Sequence, residues 1–262
     1  MPVTLDQILE ATRRGIPSLR ARRADLERDA AARPRPSSLR VALCGQRVGV
    51  IAEVKRRSPS AGVIRDDIDP GERAALYARH GAVAVSVLTD TPHFGGSLED
   101  LRAAAARTDV PLLRKDFILD EVQVVEARAA GAAAVLLIVR ALEPGRLETL
   151  LGCVRGAELE ALVEVHTAAE LERALGAGAD ILGVNSRDLD TFRIDLDRAL
   201  ELITRVPADR IAVAESGMHR AEDVQRAAAA GVDAVLVGTA LSTSPDPAGL
   251  LRRLSGVSRR DR

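Results

Sequence analysis

A glycine followed by Ala or Val and a run of apolar residues recurs along this chain, at GAVAVSVL from Gly81, GAAAVLLIV from Gly131, GADILGV from Gly178 and GVDAVLVG from Gly231. By subtraction the four glycines stand 50, 47 and 53 residues apart. Between them fall four more apolar runs, VGVIAEV, VPLLR, LEALVEV and RIAVAES, and the gaps are filled by amphipathic segments such as DEVQVVEARAA and AEDVQRAAAAG. Near-continuous apolar runs are expected of parallel strands covered on both faces. The glycine before each even run suits the position just past a helix, where φ is often positive. Eight such units predict an α/β fold, a (β/α)8 TIM barrel, which typically needs about 250 residues. An open doubly wound sheet would place G-x-G-x-x-G after its first strand, and none is there.

Residues 1–47 precede the repeat and carry ten arginines against five acids. Thr4, Leu5, Ile8 and Leu9, then Leu19 and Leu26, predict two helices with Thr4 or Ser18 as N-caps. The prolines in ARPRPSS, residues 32–38, end the helical pattern. We therefore expect one domain over residues 1–262, with 1–47 as a helical N-terminal extension whose basic surplus is a solvated face or an attraction for an anionic substrate.

Composition narrows the function. A net charge of -1 gives no basic signature for nucleic acid, and no uncharged apolar run is long enough to span a bilayer. Cys44 and Cys153 offer neither a disulfide framework nor a zinc site, and His80, His93, His166 and His219 show no metal-ligand spacing. A cytoplasmic location follows as the expectation, since no secretory signal opens the chain.

Of 37 basic residues only Lys55 and Lys115 are lysines. Arginine stays protonated in proteins, whereas an ammonium can give up a proton. Both lysines follow apolar runs, at the C-terminal strand ends where barrel chemistry is done. Runs one, three, five and seven end in VIAEVK, LLRKD, LVEVH and VAESG, which brings Glu53, Lys55, Lys115, Glu164 and Glu215 to that end. Glu53 and Lys55 are two apart in a strand and so share a face. A structural salt-bridge network accounts for one such pair more readily than for five charges converging on a polar ligand.

The even runs bring other groups. Asn185 and Arg187 follow the sixth, and Gly238 and Thr239 the eighth; with Gly217 after the seventh they suit a phosphate, often bound by the loops after strands seven and eight. Ser58 and Ser60 after the first run add hydroxyls or simply turn the chain around Pro59. In a chain with no Trp, one Tyr and three Phe, Phe94, Phe117 and Phe192 all follow strands two, three and six, which suits a flat apolar ligand.

Taken in order, AEVKRRSPSAG, RKDFILD, LVEVH, GVNSRDL, AESG and VGTAL resemble the indole-3-glycerol phosphate synthase family from the N-terminal helices to about residue 255. The resemblance implies a carbon-carbon lyase of tryptophan biosynthesis. Such an enzyme closes the indole ring of 1-(2-carboxyphenylamino)-1-deoxyribulose 5-phosphate with loss of carbon dioxide and water, and uses no metal or organic cofactor. Carried over by motif, Lys115 is the general acid, and Lys55 holds the substrate carboxylate or assists dehydration. Glu164 stabilises positive charge or acts as acid or base, while Glu53, Asn185 and Glu215 position lysines and substrate hydroxyls. Ser58, Ser216, Gly217, Gly238 and Thr239 surround the phosphate, Arg187 extends the anion surface, and Phe94, Phe117 and Leu189 enclose the anthranilate ring. The expected partner is this small molecule, without nucleic acid or membrane; contact of the basic helices with other tryptophan-pathway enzymes is an open possibility. The chain departs from the family's usual pattern at Ser186, often Asn, and at Ser242, often Met.

Two other readings compete. Phosphoribosylanthranilate isomerase shares the barrel and phosphate site, but that family uses a Cys at the end of strand one, where Glu53 and Lys55 stand here. A catalytically silent phosphate-binding barrel would be marked by the loss of charged strand ends, and all five are present.

Overall fold

The computed structural model describes residues 4–59, 62–188 and 191–260. Among them eight strands form the barrel: β1 (Gly49–Val54), β2 (Ala84–Leu88), β3 (Leu112–Lys115), β4 (Ala134–Ile138), β5 (Glu160–Val165), β6 (Ile181–Asn185), β7 (Ile211–Glu215) and β8 (Ala234–Val237). Each pairs in parallel with the next, and β8 closes on β1 with Gly49 opposite Ala234 and Ala52 opposite Val237. Closure removes both sheet edges. The strands are buried on both faces, which explains why their sequences run apolar rather than alternating.

Helices precede and separate the strands: α1 (Leu5–Ala21), α2 (Arg23–Ala31) and α3 (Leu39–Leu43) before β1, α4 (Pro70–Arg79) after it, and α5 (Thr91–Phe94) and α6 (Leu98–Ala105) after β2. Next come α7 (Glu121–Ala130), α8 (Arg146–Gly156), α9 (Ala168–Gly176), α10 (Leu196–Ile203) and α11 (Ala221–Ala229), with α12 (Thr239–Thr243) and α13 (Pro247–Leu254) after β8. Local chemistry sets their starts. Asp69, Asp120, Thr167 and Asp246 cap α4, α7, α9 and α13 by accepting backbone N-H bonds. Gly81, Gly131, Gly178 and Gly231 all have positive φ, as the repeat predicts.

The extension differs in detail from its sequence reading. Thr4 caps α1 in a capping box with Gln7, but Ser18 is no cap: α1 continues through Pro17 to Ala21, and the Ser18 hydroxyl donates back to the Gly15 carbonyl at 2.8 Å. Nor are the arginines simply solvated. Arg20 pairs with Asp120 at 2.5 Å, and Arg33 Nε donates to the Ala129 carbonyl at 3.0 Å, so α1 and α2 dock along α7. At the other end of the barrel, Ser38 caps α3 and donates to Glu160 at 2.8 Å, at the start of β5. Leu39 and Leu43 of α3 join the barrel interior with Ile51, Leu113 and Leu162, and all five are fully buried. Each such side chain contributes roughly 1.5–3 kcal/mol of burial free energy. The plugged floor leaves the opposite end for the site.

Candidate active site

At the C-terminal strand ends the charged residues converge on Lys115. Its Nζ lies 3.2 Å from Glu164 Oε2 and 3.4 Å from Glu215 Oε2. Lys55 Nζ stands 3.8 Å from Glu53 Oε1, as their shared strand face predicts, and Ser86 Oγ donates to Glu53 Oε2 at 3.3 Å. Glu53, Glu164 and Glu215 are 5%, 1% and 2% exposed, so three buried carboxyl groups share two ammonium groups. An arrangement so costly to desolvate is stable only if its members satisfy each other closely.

Two glycines make room for it. A Cβ on Gly183 of β6 would overlap the Glu215 carboxylate, and one on Gly238, just after β8, would overlap that of Glu53. Gly238 therefore seats a carboxylate at the end of β8. Asn185 locks the arrangement from β6: its Oδ1 accepts from Ser216 Oγ at 2.9 Å and from the Arg187 backbone at 3.0 Å, and its side chain helps to lower the pKa of Glu164.

Proton affinities follow from this geometry. Burial alone would strip the Lys115 ammonium, but the charges of Glu164, Glu215 and Glu53 outweigh it and hold its pKa above the ordinary lysine value. Burial lowers that of Lys55, only partly offset by Glu53. Glu164 is desolvated, yet Lys115 and His166 overcome that and keep it below the usual carboxylate range. Glu215 goes the other way. Burial, with the repulsion of Glu164, pushes it from 4.5 up to about 8. Neither of its oxygens has a hydrogen-bond partner among the described residues, the Lys115 contact at 3.4 Å not being an aligned hydrogen bond.

A stability prediction follows from Glu215. Between pH 4.5 and about 8 the unfolded chain has released this proton and the folded chain has kept it, so the group costs stability increasingly as pH rises through that window. Glu215→Gln mimics the neutral acid and removes the cost. The melting temperature of the variant relative to the parent should climb from about pH 5 to about pH 8; an offset that does not change with pH would contradict a protonated Glu215.

Beside this cluster a pocket between β1, β7 and β8 is lined by Lys55, Arg187, Ser216, Gly217, Gly238 and Thr239, joined by His219. Ser216 and Gly217 both have positive φ, at 66° and 77°, which turns the chain sharply off β7. Ser58 is buried on the wall of the adjoining cavity, which also holds the lysines and the three carboxylates. The same cavity is lined by Phe94, Phe117 and Phe192; the rings of Phe94 and Phe117 lie 6.1 Å apart at 40°. Every site residue expected from the sequence thus lies at this mouth except Leu189, which, like Ser60, falls outside the described residues. The departure at Ser186 is accommodated: its hydroxyl donates to the Glu215 carbonyl at 3.1 Å.

Sequence reasoning missed five residues of the site. Gly183 and the apolar floor of Leu136 and Leu236 carry no chemical signal of their own. Asp116, next to Lys115, accepts from Thr89 Oγ1 at 2.5 Å and from the Phe117 backbone at 2.8 Å, while Arg114 grips it from the outer face. His166 stands 3.5 Å from Glu164 Oε1. The relation two residues apart that pairs Glu53 with Lys55 would have found it. A roomier groove between α2, α7 and α8, bordered by Arg33, Arg128 and Cys153, has no strand-end residue in its wall.

A closed (β/α)8 barrel with a buried lysine and carboxylates at its mouth, beside a glycine-edged cationic pocket, defines a barrel enzyme acting on an anionic small molecule. Comparison with known proteins makes the class particular. The chain belongs to the indole-3-glycerol phosphate synthase family, whose model matches residues 5–254. It is 45% identical over 236 residues to the indole-3-glycerol phosphate synthase of Albidiferax ferrireducens, covering 90% of this chain and 89% of that protein. The Nocardioides enzyme of the same name is 54% identical over 208 residues, with 79% and 80% covered. Among solved structures, 3-hexulose-6-phosphate synthase from Salmonella typhimurium superposes with a TM-score of 0.62 at 18% identity, over 79% of this chain and 97% of that one. Thiamine phosphate pyrophosphorylase from Pyrococcus furiosus gives 0.59 at 20% identity, over 80% and 94%. These two likenesses concern the fold alone.

Proposed function

We propose that this chain closes the indole ring of 1-(2-carboxyphenylamino)-1-deoxyribulose 5-phosphate, with Lys115 as the acid. The observation that carries the reading is a buried ammonium held between two carboxyl groups, Glu164 at 3.2 Å and Glu215 at 3.4 Å, and opening onto a cavity with aromatic walls. The ring carbon bearing the carboxylate attacks the sugar ketone, and Lys115 gives its proton to the ketone oxygen. Carbon dioxide leaves its bonding pair to the ring, which quenches the positive charge formed on attack. Loss of the new hydroxyl as water, with a proton from the neighbouring carbon, completes the indole. The low pKa of Glu164 suits a fixed anion facing the transient cation, and the raised pKa of Glu215 suits proton exchange with substrate hydroxyls.

Lys55 is assigned to the substrate carboxylate or to dehydration, with Glu53 holding it in place. Ser58, Ser216, Gly217, Gly238 and Thr239, helped by Arg187, are assigned to the phosphate; Phe94 and Phe117 to the anthranilate ring. We place the activity in the cytoplasm, where a phosphorylated, membrane-impermeant intermediate would be made. The stoichiometry tests the reaction as a whole: one carbon dioxide is expected per indole formed, and gas release without indole would leave only a decarboxylase.

The glycine seat of Glu215 makes a second prediction. Gly183→Ala forces that carboxylate away from Lys115 while changing little of the barrel wall, so kcat should fall by about tenfold or more with the far-ultraviolet circular dichroism unchanged. Parent-like kcat would show that the Lys115 and Glu215 contact is dispensable.

A further inference from the structure

We propose that His166 is a positioning residue for this reaction: as an imidazolium clamped between Glu164 and Glu170 it keeps the Glu164 carboxylate ionised and aimed at Lys115. The inference rests on the function proposed above, and on geometry that the reaction scheme does not use. His166 Nε2 lies 3.5 Å from Glu164 Oε1, and Nδ1 lies 3.4 Å from Glu170 Oε2. Glu170 is itself fixed, since the same Oε2 accepts the His166 backbone N-H at 2.7 Å in the first turn of α9. The imidazole is only 9% exposed and does not line the cavity.

The two carboxylates decide the charge of the ring. A neutral imidazole has one N-H, so its other nitrogen would turn a lone pair toward a carboxylate. Neither contact is an aligned hydrogen bond, but carboxylates at 3.5 and 3.4 Å on either side of one ring favour its charged form over a lone pair turned toward an anion. The groups around it agree: Glu164 on β5, Glu170 on α9 and Glu215 on β7 all favour the charged form and overcome desolvation, the largest opposing cause. Burial works against the Glu170 carboxylate, but His166 itself, with a smaller contribution from Arg140 in the turn after β4, keeps it below the usual carboxylate range. Glu164 then has its two oxygens divided between two cations, Oε1 toward His166 and Oε2 toward Lys115. Without the imidazolium, a carboxylate 1% exposed would compete with the substrate ketone for the Lys115 proton. His166 thus keeps the transferable proton on Lys115.

The test compares kcat and KM against pH for the parent, His166→Phe, His166→Gln and Glu170→Gln, together with the imidazole ¹⁵N signals of the parent. His166→Phe should lower kcat roughly tenfold, below the loss of about 10²- to 10³-fold typical of a donor that touches the transition state. KM should hold, and the acid limb of the kcat profile should move to higher pH as Glu164 becomes easier to protonate. His166→Gln, which can offer Glu164 an N-H but no charge, should recover part of kcat. Glu170→Gln should bring the alkaline limb down, because the imidazolium loses one of its anions. In the parent, both nitrogens of one histidine, assigned by its absence from His166→Phe, should be protonated at neutral pH. Profiles that overlay the parent's after scaling would reduce His166 to packing, and a neutral ring would overturn the clamp even if no turnover were found. A parent without turnover would instead sink the reaction on which this proposal rests.

Discussion

Lys115→Arg is expected to lose most turnover while substrate still binds. The guanidinium keeps the positive charge, so KM should change little. It does not release a proton at working pH, however, and its planar fork does not fit the point between Glu164 and Glu215 that a compact ammonium fills at 3.2 and 3.4 Å. A proton delivered in step with bond formation contributes about 10²- to 10⁴-fold in rate, and kcat should fall within that range. Steady-state kinetics separates the outcomes. A fall confined to kcat supports proton donation, a rise confined to KM would make Lys115 a binding cation, and comparable turnover would remove it from the chemistry.

Arg114→Leu should produce the largest loss of stability. The Arg114 side chain, 6% exposed, lies between Asp116 at 2.9 Å and Glu126 at 2.8 Å, and its NH1 also donates to the Gln123 carbonyl at 2.9 Å. Leucine would leave two largely buried carboxylates without a counter-charge, which costs about 3–5 kcal/mol when one partner of a buried pair is removed. For a chain of this size that corresponds to a fall in melting temperature on the order of 10 °C. Activity should suffer beyond the unfolded fraction, because Asp116 also accepts the Phe117 backbone N-H beside Lys115. A thermal melt shifted by less than about 2 °C would mean that the two acids protonate or rehydrate at little cost.

Much of this site is legible in the sequence, for a physical reason. Parallel strands covered on both faces admit few polar residues, so the charges at Glu53, Lys115, Glu164 and Glu215 stood out against apolar runs. Glycines at 81, 131, 178 and 231 announced helix ends because only a residue without a side chain accepts positive φ freely. What stayed hidden depends on contacts across the fold. Gly183 matters because Glu215, 32 residues later by subtraction, leans over it, and Arg114 because α7 supplies Glu126. The extension arginines read as solvent-facing, since Asp120 and the Ala129 carbonyl are distant in sequence. Ser18 looked like a cap because serine begins helices well, but α1 was already four turns long when it reached that residue.

Leu5, Ile8, Leu39 and Leu43 of the N-terminal helices are buried in the same cluster as Ile51 and Phe117. Truncation to residue 48 would expose that surface, so function is best tested on the whole chain.

The most direct test mixes the purified, chelator-treated chain with 1-(2-carboxyphenylamino)-1-deoxyribulose 5-phosphate and follows indole fluorescence, against a protein that contains no Trp. The account predicts a rising indole signal for the parent and none for Lys115→Met, with the ligand still bound by the variant. Indole formed by Lys115→Met at a rate comparable to the parent, or no indole from a parent that binds the compound, would contradict it.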